Sequence, residues 1–412
     1  MRARHPGPAL CRSVGPAGLR TQASRKGGWL ELPAMPLLIT AFAISFAVTL
    51  LLIRLSKGSP AAWSDHDTAG PQKFHVMPVP RAGGLGIVLG LLGALLLPAA
   101  LDGPWGPVAL GLMACGIPAF ACGLAEDITK RVAPRWRLAA TALSATLAFW
   151  LLDAAIGRTD IPGLDWLVSF SAGSLFLTVV GVAGIANSVN IIDGFNGLAS
   201  MCVAIMLAAL AYVAFQVGDA LVGTLALAGI GAVLGFFVWN FPGGLIFLGD
   251  GGAYFLGFWV AELSLLLLAR NPQVSPLFPL LLCFYPVFET LFSIYRRKVL
   301  RALPSSVPDG IHLHSLIYRR VIRWAVGDRS AKALTRRNSM TSPFLWMLCM
   351  LSVVPAVLAW HSSALLALFL LLFALVYVGL YWRIVRFRSP RWMRALATRP
   401  RPLEASPSHV RR

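Results

Sequence analysis

Five stretches of this sequence set chemically capable groups at close spacing. In the first, Glu126 and Asp127 are adjacent and are followed by Lys130 and Arg131. Neighbouring helical positions differ by about 100°, so one carboxylate can face a ligand while the other is held by Lys130 or Arg135. Taken alone, a solvated helix end with balanced charges is the plainer explanation. The second stretch reads Asn187-Ser-Val-Asn190-Ile-Ile-Asp193-Gly-Phe-Asn196-Gly197. Polar groups at every third position share neighbouring parts of a helix face. They suit a nucleobase, a ribose or a metal-bound water, and hydrogen bonding between helices explains them equally well. In the third, Gly249-Asp250-Gly251-Gly252, a carboxylate at a helix start can hold a hard cation, and exposed N–H groups there draw phosphate. A glycine turn with an incidental Asp is the alternative. The fourth carries His312 and His314 after Pro308 and Gly310, with Arg319 following. Histidines two apart point the same way on an extended segment, which Pro308 and Gly310 favour. They suit phosphate better than zinc, because no matching zinc motif lies nearby; two ordinary surface histidines are the other explanation. The fifth, Asp67 to Gly84, carries Lys73, His75 and Arg81, which can meet anions or simply mark a basic loop.

The elements that position these groups are membrane helices. Of 412 residues, 57% are hydrophobic and 13% charged, and the mean hydropathy is +0.71. Soluble chains carry about 25% charged residues. Apolar runs near 35–53, 83–101, 106–124, 136–152, 167–186, 198–217, 220–241, 253–269, 274–294, 343–360 and 363–382 make eleven candidate spans. The expected fold is therefore all-α and polytopic, with a tight hairpin at Gly218 and Asp219 and no separate soluble domain or internal repeat. The net charge of +19 does not point to nucleic acid in so apolar a chain, where a basic excess belongs to cytoplasmic loops. None of the six cysteines forms a C-x-x-C pair, and they read as small buried hydrophobes.

With the first span starting outside, the inward loops and tail hold 28 Lys and Arg, and the outward loops only Arg158 and Arg270. That asymmetry predicts a plasma (inner) membrane protein with its acidic and histidine clusters all on the cytoplasmic face. The domain 35–382 would carry the site, with a cytoplasmic loop at 296–342 and a basic tail at 383–412. Residues 1–34 read as a basic, unstructured extension, and Met35 is the expected translation start.

Together the motifs resemble the polyprenyl-phosphate N-acetylhexosamine-1-phosphate transferases, from the first span to the eleventh. Glu126-Asp127 is similar to the family's Asp-Asp pair, with Glu in the first place. Asn190 to Gly197 is similar to its Asn-x-x-Asp-Gly-x-Asp-Gly stretch, with Asn196 for the second Asp. Gly249 to Gly252 matches Gly-Asp-x-Gly, and Lys73, His75, Pro80, Gly83 and Gly84 match Lys-x-His…Pro-x-x-Gly-Gly. His312-Leu-His314-Ser315 resembles the His-x-His-His of members acting on smaller sugars, with Ser315 for the last His.

The resemblance implies transfer of an N-acetylhexosamine-1-phosphate from a UDP-sugar to undecaprenyl phosphate, releasing UMP and initiating a surface glycan such as O-antigen. It implies Mg2+, or Mn2+ in its place, on Asp250 and Asp193. Asp127 or Glu126 would accept a proton. Lys73, His75, Asn187, Asn190, Asn196, His312, His314 and Arg319 would bind substrate. A homodimer through lipid-facing helices is compatible with this reading. The alternatives are transfer from the muramoyl-pentapeptide nucleotide, whose enzymes carry three successive histidines, and a membrane transporter. A transporter would place its acids near the bilayer midplane and often shows paired repeats.

Overall fold

The sequence predicts helices almost throughout, and a computed structural model describes residues 34–58, 64–65, 79–97, 105–300, 312–322 and 331–386. The long helices are α1 (Ala34–Gly58), α2 (Gly83–Leu95), α3 (Gly106–Thr129), α4 (Pro134–Leu152), α6 (Ser171–Ile192), α7 (Leu198–Gln216), α8 (Ala220–Asn240) and α9 (Gly249–Arg270), with the short α5 (Leu164–Val168) before α6. They are followed by α10 (Leu277–Leu282), α11 (Phe284–Tyr295), the short α12 (Leu313–Leu316), α13 (Ala331–Leu358) and α14 (Ser363–Val385). The strands described are two residues each, β1 (Ser64–Asp65) and β2 (Val79–Pro80), paired antiparallel.

Among the described residues, eight helices are long and apolar enough to cross a membrane, so the chain is a multi-pass membrane protein. Within the described residues the eleven apolar runs coincide with helices, except that the second run outlasts α2, the fifth is broken between α5 and α6, and there are two larger departures. The ninth run breaks at Cys283 into α10 and α11, because Pro286 has no N–H to give the carbonyl of Leu282. The loop expected over 296–342 is partly helical. A π-helical turn, Arg296–Leu300, extends α11, another at Ile317–Ile322 follows α12, and α13 starts at Ala331. The first turns of α13 are polar, so hydropathy alone starts that helix too late.

Helix α9 is the centre of the bundle. Eighty-nine per cent of its spanning window is buried, against 17% for α14, and α2, α3, α6, α7 and α8 all pack on it. Glycines allow the closest approaches. A Cβ on Gly123 would meet the Gly251 backbone at 2.6 Å, so α3 and α9 touch main chain to main chain beside Asp127. The five cysteines described are free thiols, buried except for the half-buried Cys122.

At one end of α9, Asp219 caps α8 and accepts hydrogen bonds from Arg270 Nε and Asn271 Nδ2, both at 2.8 Å. Arg158 donates to the carbonyls of Pro272 and Val274 at the same end. The two arginines assigned to outward loops thus share one face. Twenty residues of α9, about 30 Å at 1.5 Å per residue, separate this end from Asp250. That is roughly the thickness of a bilayer's hydrocarbon core.

Candidate functional site

The site is built around the first turn of α9. Gly249 enters it with φ +78, a left-handed conformation that glycine adopts without steric cost. A Cβ at Gly249 would lie 2.5 Å from both Asp127 Oδ2 and the Arg81 carbonyl. Asp127, on the last turn of α3, reaches across and accepts the backbone N–H groups of Asp250 and Gly251, each at 2.9 Å. A helix start leaves its first N–H groups without intrahelical partners and carries partial positive charge, so a carboxylate is the group it prefers. These two N–H groups were expected to attract phosphate. Instead, a side chain 123 residues earlier occupies them.

Asp250 itself is held on two sides. Asn190 Nδ2, from the last turn of α6, donates to its Oδ1 at 3.1 Å. Arg137 of α4 forms an ion pair with its Oδ2, and the Arg137 guanidinium also lies 6.0 Å from the Tyr254 ring centroid. Asn187, one turn before Asn190, accepts the Tyr254 hydroxyl at 3.1 Å. Helix α6 therefore turns Asn187 and Asn190 onto α9, as their spacing predicts. Asp193 caps the end of α6. Burial pushes its carboxyl up to about 7; the positive charge of Arg81 pulls it down and Asp127 pushes it up.

The segment 79–84 is stitched to the residues before α9. Phe247 donates to the Pro80 carbonyl at 2.8 Å, Gly83 to Phe247 at 3.0 Å and Gly84 to Leu248 at 2.9 Å. The Pro80, Gly83 and Gly84 motif thereby delivers Arg81 to the acids. Lys73 and His75 lie outside the described residues.

Glu126 points elsewhere, as the 100° offset requires: its Oε2 accepts the Val132 N–H at 2.7 Å. Asn196 also parts from Asn187 and Asn190. The helix ends at Ile192, and Gly197 turns the chain at φ +71. Asn196 then sits against α13, where its N–H donates to Asn338 Oδ1 at 2.8 Å and its Nδ2 to Ser339 Oγ at 3.2 Å. The one-face pattern therefore covers Asn187 and Asn190 only.

His312 precedes α12 with extended backbone, ψ 152, and His314 lies in its first turn. Their rings stack at 5.0 Å and 9°; the segment is extended only at His312, and Leu313–Leu316 is helical, so the side-by-side placement comes from a helix start and not from the extended form expected. The segment meets the second stretch directly: His314 packs edge-on to Phe195 at 5.6 Å, and a Cβ on Gly194 would lie 3.6 Å from His314 Nε2. Both histidines are buried, whereas Arg319 is exposed. Glu289 of α11, which the motif reading passed over, lies against them. Its signal was available as a carboxylate inside an otherwise apolar run. Beside it, a cavity of about 410 Å3 opens between Phe288, Leu291, Phe292 and Tyr295 of α11 and Val378 and Trp382 of α14.

Asp127, Asn187, Asn190, Asp193 and Asp250 thus share one mouth, with His314 adjoining through Gly194. Arg137 and Tyr254 are neighbours of these residues that spacing could not reveal, because they come from other helices.

The family model described as glycosyl transferase family 4 matches residues 109–268. The chain is 31% identical, over 67% of its length and 72% of the relative's, to the decaprenyl-phosphate N-acetylglucosaminephosphotransferase of Mycolicibacterium smegmatis. It is 28% identical, over 68% of its length and 81% of the relative's, to the undecaprenyl-phosphate alpha-N-acetylglucosaminyl 1-phosphate transferase of Thermotoga maritima. It is also 31% identical, over 54% of its length and 73% of the relative's, to a phospho-N-acetylmuramoyl-pentapeptide-transferase of a Mycobacterium species.

Proposed function

The chain belongs to the polyprenyl-phosphate hexosamine-1-phosphate transferases of glycosyl transferase family 4, and from that premise we propose that it moves N-acetylhexosamine-1-phosphate from a UDP-sugar to undecaprenyl phosphate, releasing UMP. The observation that carries this reading is the convergence of Asp127, Asn190, Asp193 and Asp250 at one end of the bundle, beside Arg81 and Arg137.

The reaction brings two anions together, so its main demands are neutralisation and alignment. The lipid phosphate attacks the phosphorus that carries the sugar. Near neutral pH it needs little help in losing a proton, since a phosphate monoester's second pKa is about 6. Asp127, with both oxygens on backbone donors, fits the role of fixing Asp250 in place. Arg81, Arg137, His312 and His314 offer positive or donor groups to the diphosphate. Asn187 and Asn190 offer hydrogen bonds to the nucleoside. Lys73, His75 and Arg319 remain substrate-binding candidates by resemblance.

The donor chemistry suits Mg2+, with Mn2+ as its substitute. Among the described residues no group of three or more His, Cys, Asp or Glu could hold a metal by itself. Asp193 and Asp250 instead offer hard oxygens at one mouth. Mg2+ commonly takes one or two carboxylates and completes its shell with phosphate oxygens and water. When bound there it offsets charge on the diphosphate and the departing UMP.

The apolar groove between α11 and α14 supports entry of an isoprenoid tail from the bilayer. The 28-to-2 charge asymmetry supports a cytoplasmic site in a bacterial plasma membrane, and the product would prime a surface glycan such as O-antigen. The muramoyl-pentapeptide reading draws support from the Mycobacterium relative, while the His312-Leu-His314-Ser315 loop favours the smaller sugar. Competing UDP-N-acetylhexosamines against the muramoyl-pentapeptide nucleotide with purified enzyme tests this choice. Faster turnover of a simple hexosamine is expected, and a preference for the pentapeptide nucleotide would reverse the assignment.

A further inference from the structure

Glu289 is 1% exposed on an apolar helix, yet it gathers polar groups from two other elements. Its Oε1 accepts the Leu313 N–H at 2.9 Å and lies 3.2 Å from His312 Nδ1. His314 Nδ1 is 3.9 Å from the same oxygen. Its Oε2 accepts the Tyr377 hydroxyl, from α14, at 2.8 Å. A buried carboxylate is costly unless it is paired and hydrogen-bonded, and every one of these partners lies outside α11. Glu289 thus joins the histidine segment to the bundle through the Leu313 N–H and the His312 ring, with the His314 ring at ion-pair distance.

We propose that Glu289 is a positioning residue for the transfer, holding His312 by Nδ1 with the His314 ring stacked on it, so that Nε2 of His312 is presented to a phosphate, with Tyr377 fixing the carboxylate in turn. The two nitrogens of an imidazole point in diverging directions. A ring turned inward through Nδ1 therefore carries Nε2 away from the carboxylate. For His314 that direction is toward Gly194, where a missing side chain leaves room. The negative charge of Glu289 favours an Nδ1–H facing it, and that hydrogen bond fixes the direction in which Nε2 points. The parallel stack at 5.0 Å sets the two rings to act on one phosphate group.

The inference rests on the reading of His312 and His314 as phosphate-binding groups, and the experiment separates the two. The full chain, purified in detergent, is assayed for UMP release with undecaprenyl phosphate, Mg2+ and the fastest UDP-sugar of a panel. His312→Ala and His314→Ala test the histidine reading: wild-type turnover in both would overturn it whatever Glu289 does. Glu289→Gln keeps the shape and removes the charge; Glu289→Asp keeps the charge and gives up reach. Groups that orient a functional histidine typically contribute 10–100-fold, so Glu289→Gln is expected to lose about 100-fold in kcat and Glu289→Asp only about tenfold. In the His312→Ala background, Glu289→Gln should cost no more than about twofold, because residues acting as one unit are not additive. Equal activity of Glu289→Gln and wild type would overturn the proposal. So would a Gln variant more active than the Asp variant, or the full loss persisting without His312. If Glu289→Gln does not fold, Tyr377→Phe carries the test. It should lose about tenfold, the low end of the same range, and that loss should vanish in His312→Ala; an unaltered Tyr377→Phe, or one whose loss persists, would contradict the relay.

Discussion

Asp127 caps the helix on whose first turn Asp250 sits: its carboxylate accepts the N–H groups of Asp250 and Gly251, each at 2.9 Å, across 123 and 124 positions of sequence. The adjacent acids of the first motif therefore divide their work. Asp127 faces the site and Glu126 holds the turn after α3. Asp127→Asn leaves one acceptor for two donors and removes the charge facing a helix N-terminus. Loss of such a cap costs about 0.5–2 kcal/mol. The expected outcome is a lower midpoint of thermal unfolding together with a fall in turnover larger than that stability loss explains. Unchanged turnover in a destabilised variant would make Asp127 purely structural.

Arg137 pairs with Asp250, the carboxylate proposed to meet the cation. An opposite charge already on a ligand competes with the metal, and removing it strengthens binding by the coupling between the two. Arg137→Ala should tighten Mn2+ binding, followed by electron paramagnetic resonance, by about fivefold, the low end of typical site-to-site coupling. Weaker Mn2+ binding would show that Arg137 organises the site and does not compete for it.

Glu262 lies 12 residues along α9 from Asp250, fully buried. Among the described residues neither carboxylate oxygen has a hydrogen-bond partner. Replacing an unsatisfied buried polar group by an apolar one of similar size is neutral or stabilising. Glu262→Met should therefore raise the unfolding midpoint, a gain of about 1–3 kcal/mol, with UMP release unchanged. A large loss of activity would give Glu262 a part in the reaction.

Orientation can be read directly. Arg131, at the acid-bearing end, and Pro162, at the opposite end, are both exposed. In cells expressing Pro162→Cys, a membrane-impermeant maleimide should label the protein from outside. Arg131→Cys should react only after permeabilisation. The reverse pattern would invert the proposed topology.

Much of this architecture is legible because a bilayer leaves strong marks. Long apolar runs located the helices, and Gly218 with Asp219 located the hairpin. Two lone arginines, Arg158 and Arg270, marked the face opposite the acids. The i, i+3 spacing of Asn187 and Asn190 correctly put both on one face of a helix, and the structure turns that face of α6 onto α9. The same pattern failed at Asn196, because spacing does not say where a helix stops; the cap at Asp193 and the turn at Gly197 do. Contacts between distant segments were not legible. Nothing local tells that Asp127 occupies the N–H groups of α9, or that Arg137 reaches Asp250. Glu289 was visible as an acid in an apolar run, but its histidine partners appear only when α11, α12 and α14 come together.

The central claim is that Asp250 anchors a metal-assisted transfer of sugar phosphate to a lipid phosphate. The direct measurement is UMP release by wild type and Asp250→Asn in detergent, with and without undecaprenyl phosphate and Mg2+, using a panel of UDP-N-acetylhexosamines. The account predicts UMP only when donor, lipid and cation are all present, and a loss of at least about 100-fold in a folded Asp250→Asn, the scale expected for removing metal stabilisation of several kcal/mol. Wild-type turnover by Asp250→Asn, or no UMP from folded wild type with any UDP-N-acetylhexosamine, would contradict it.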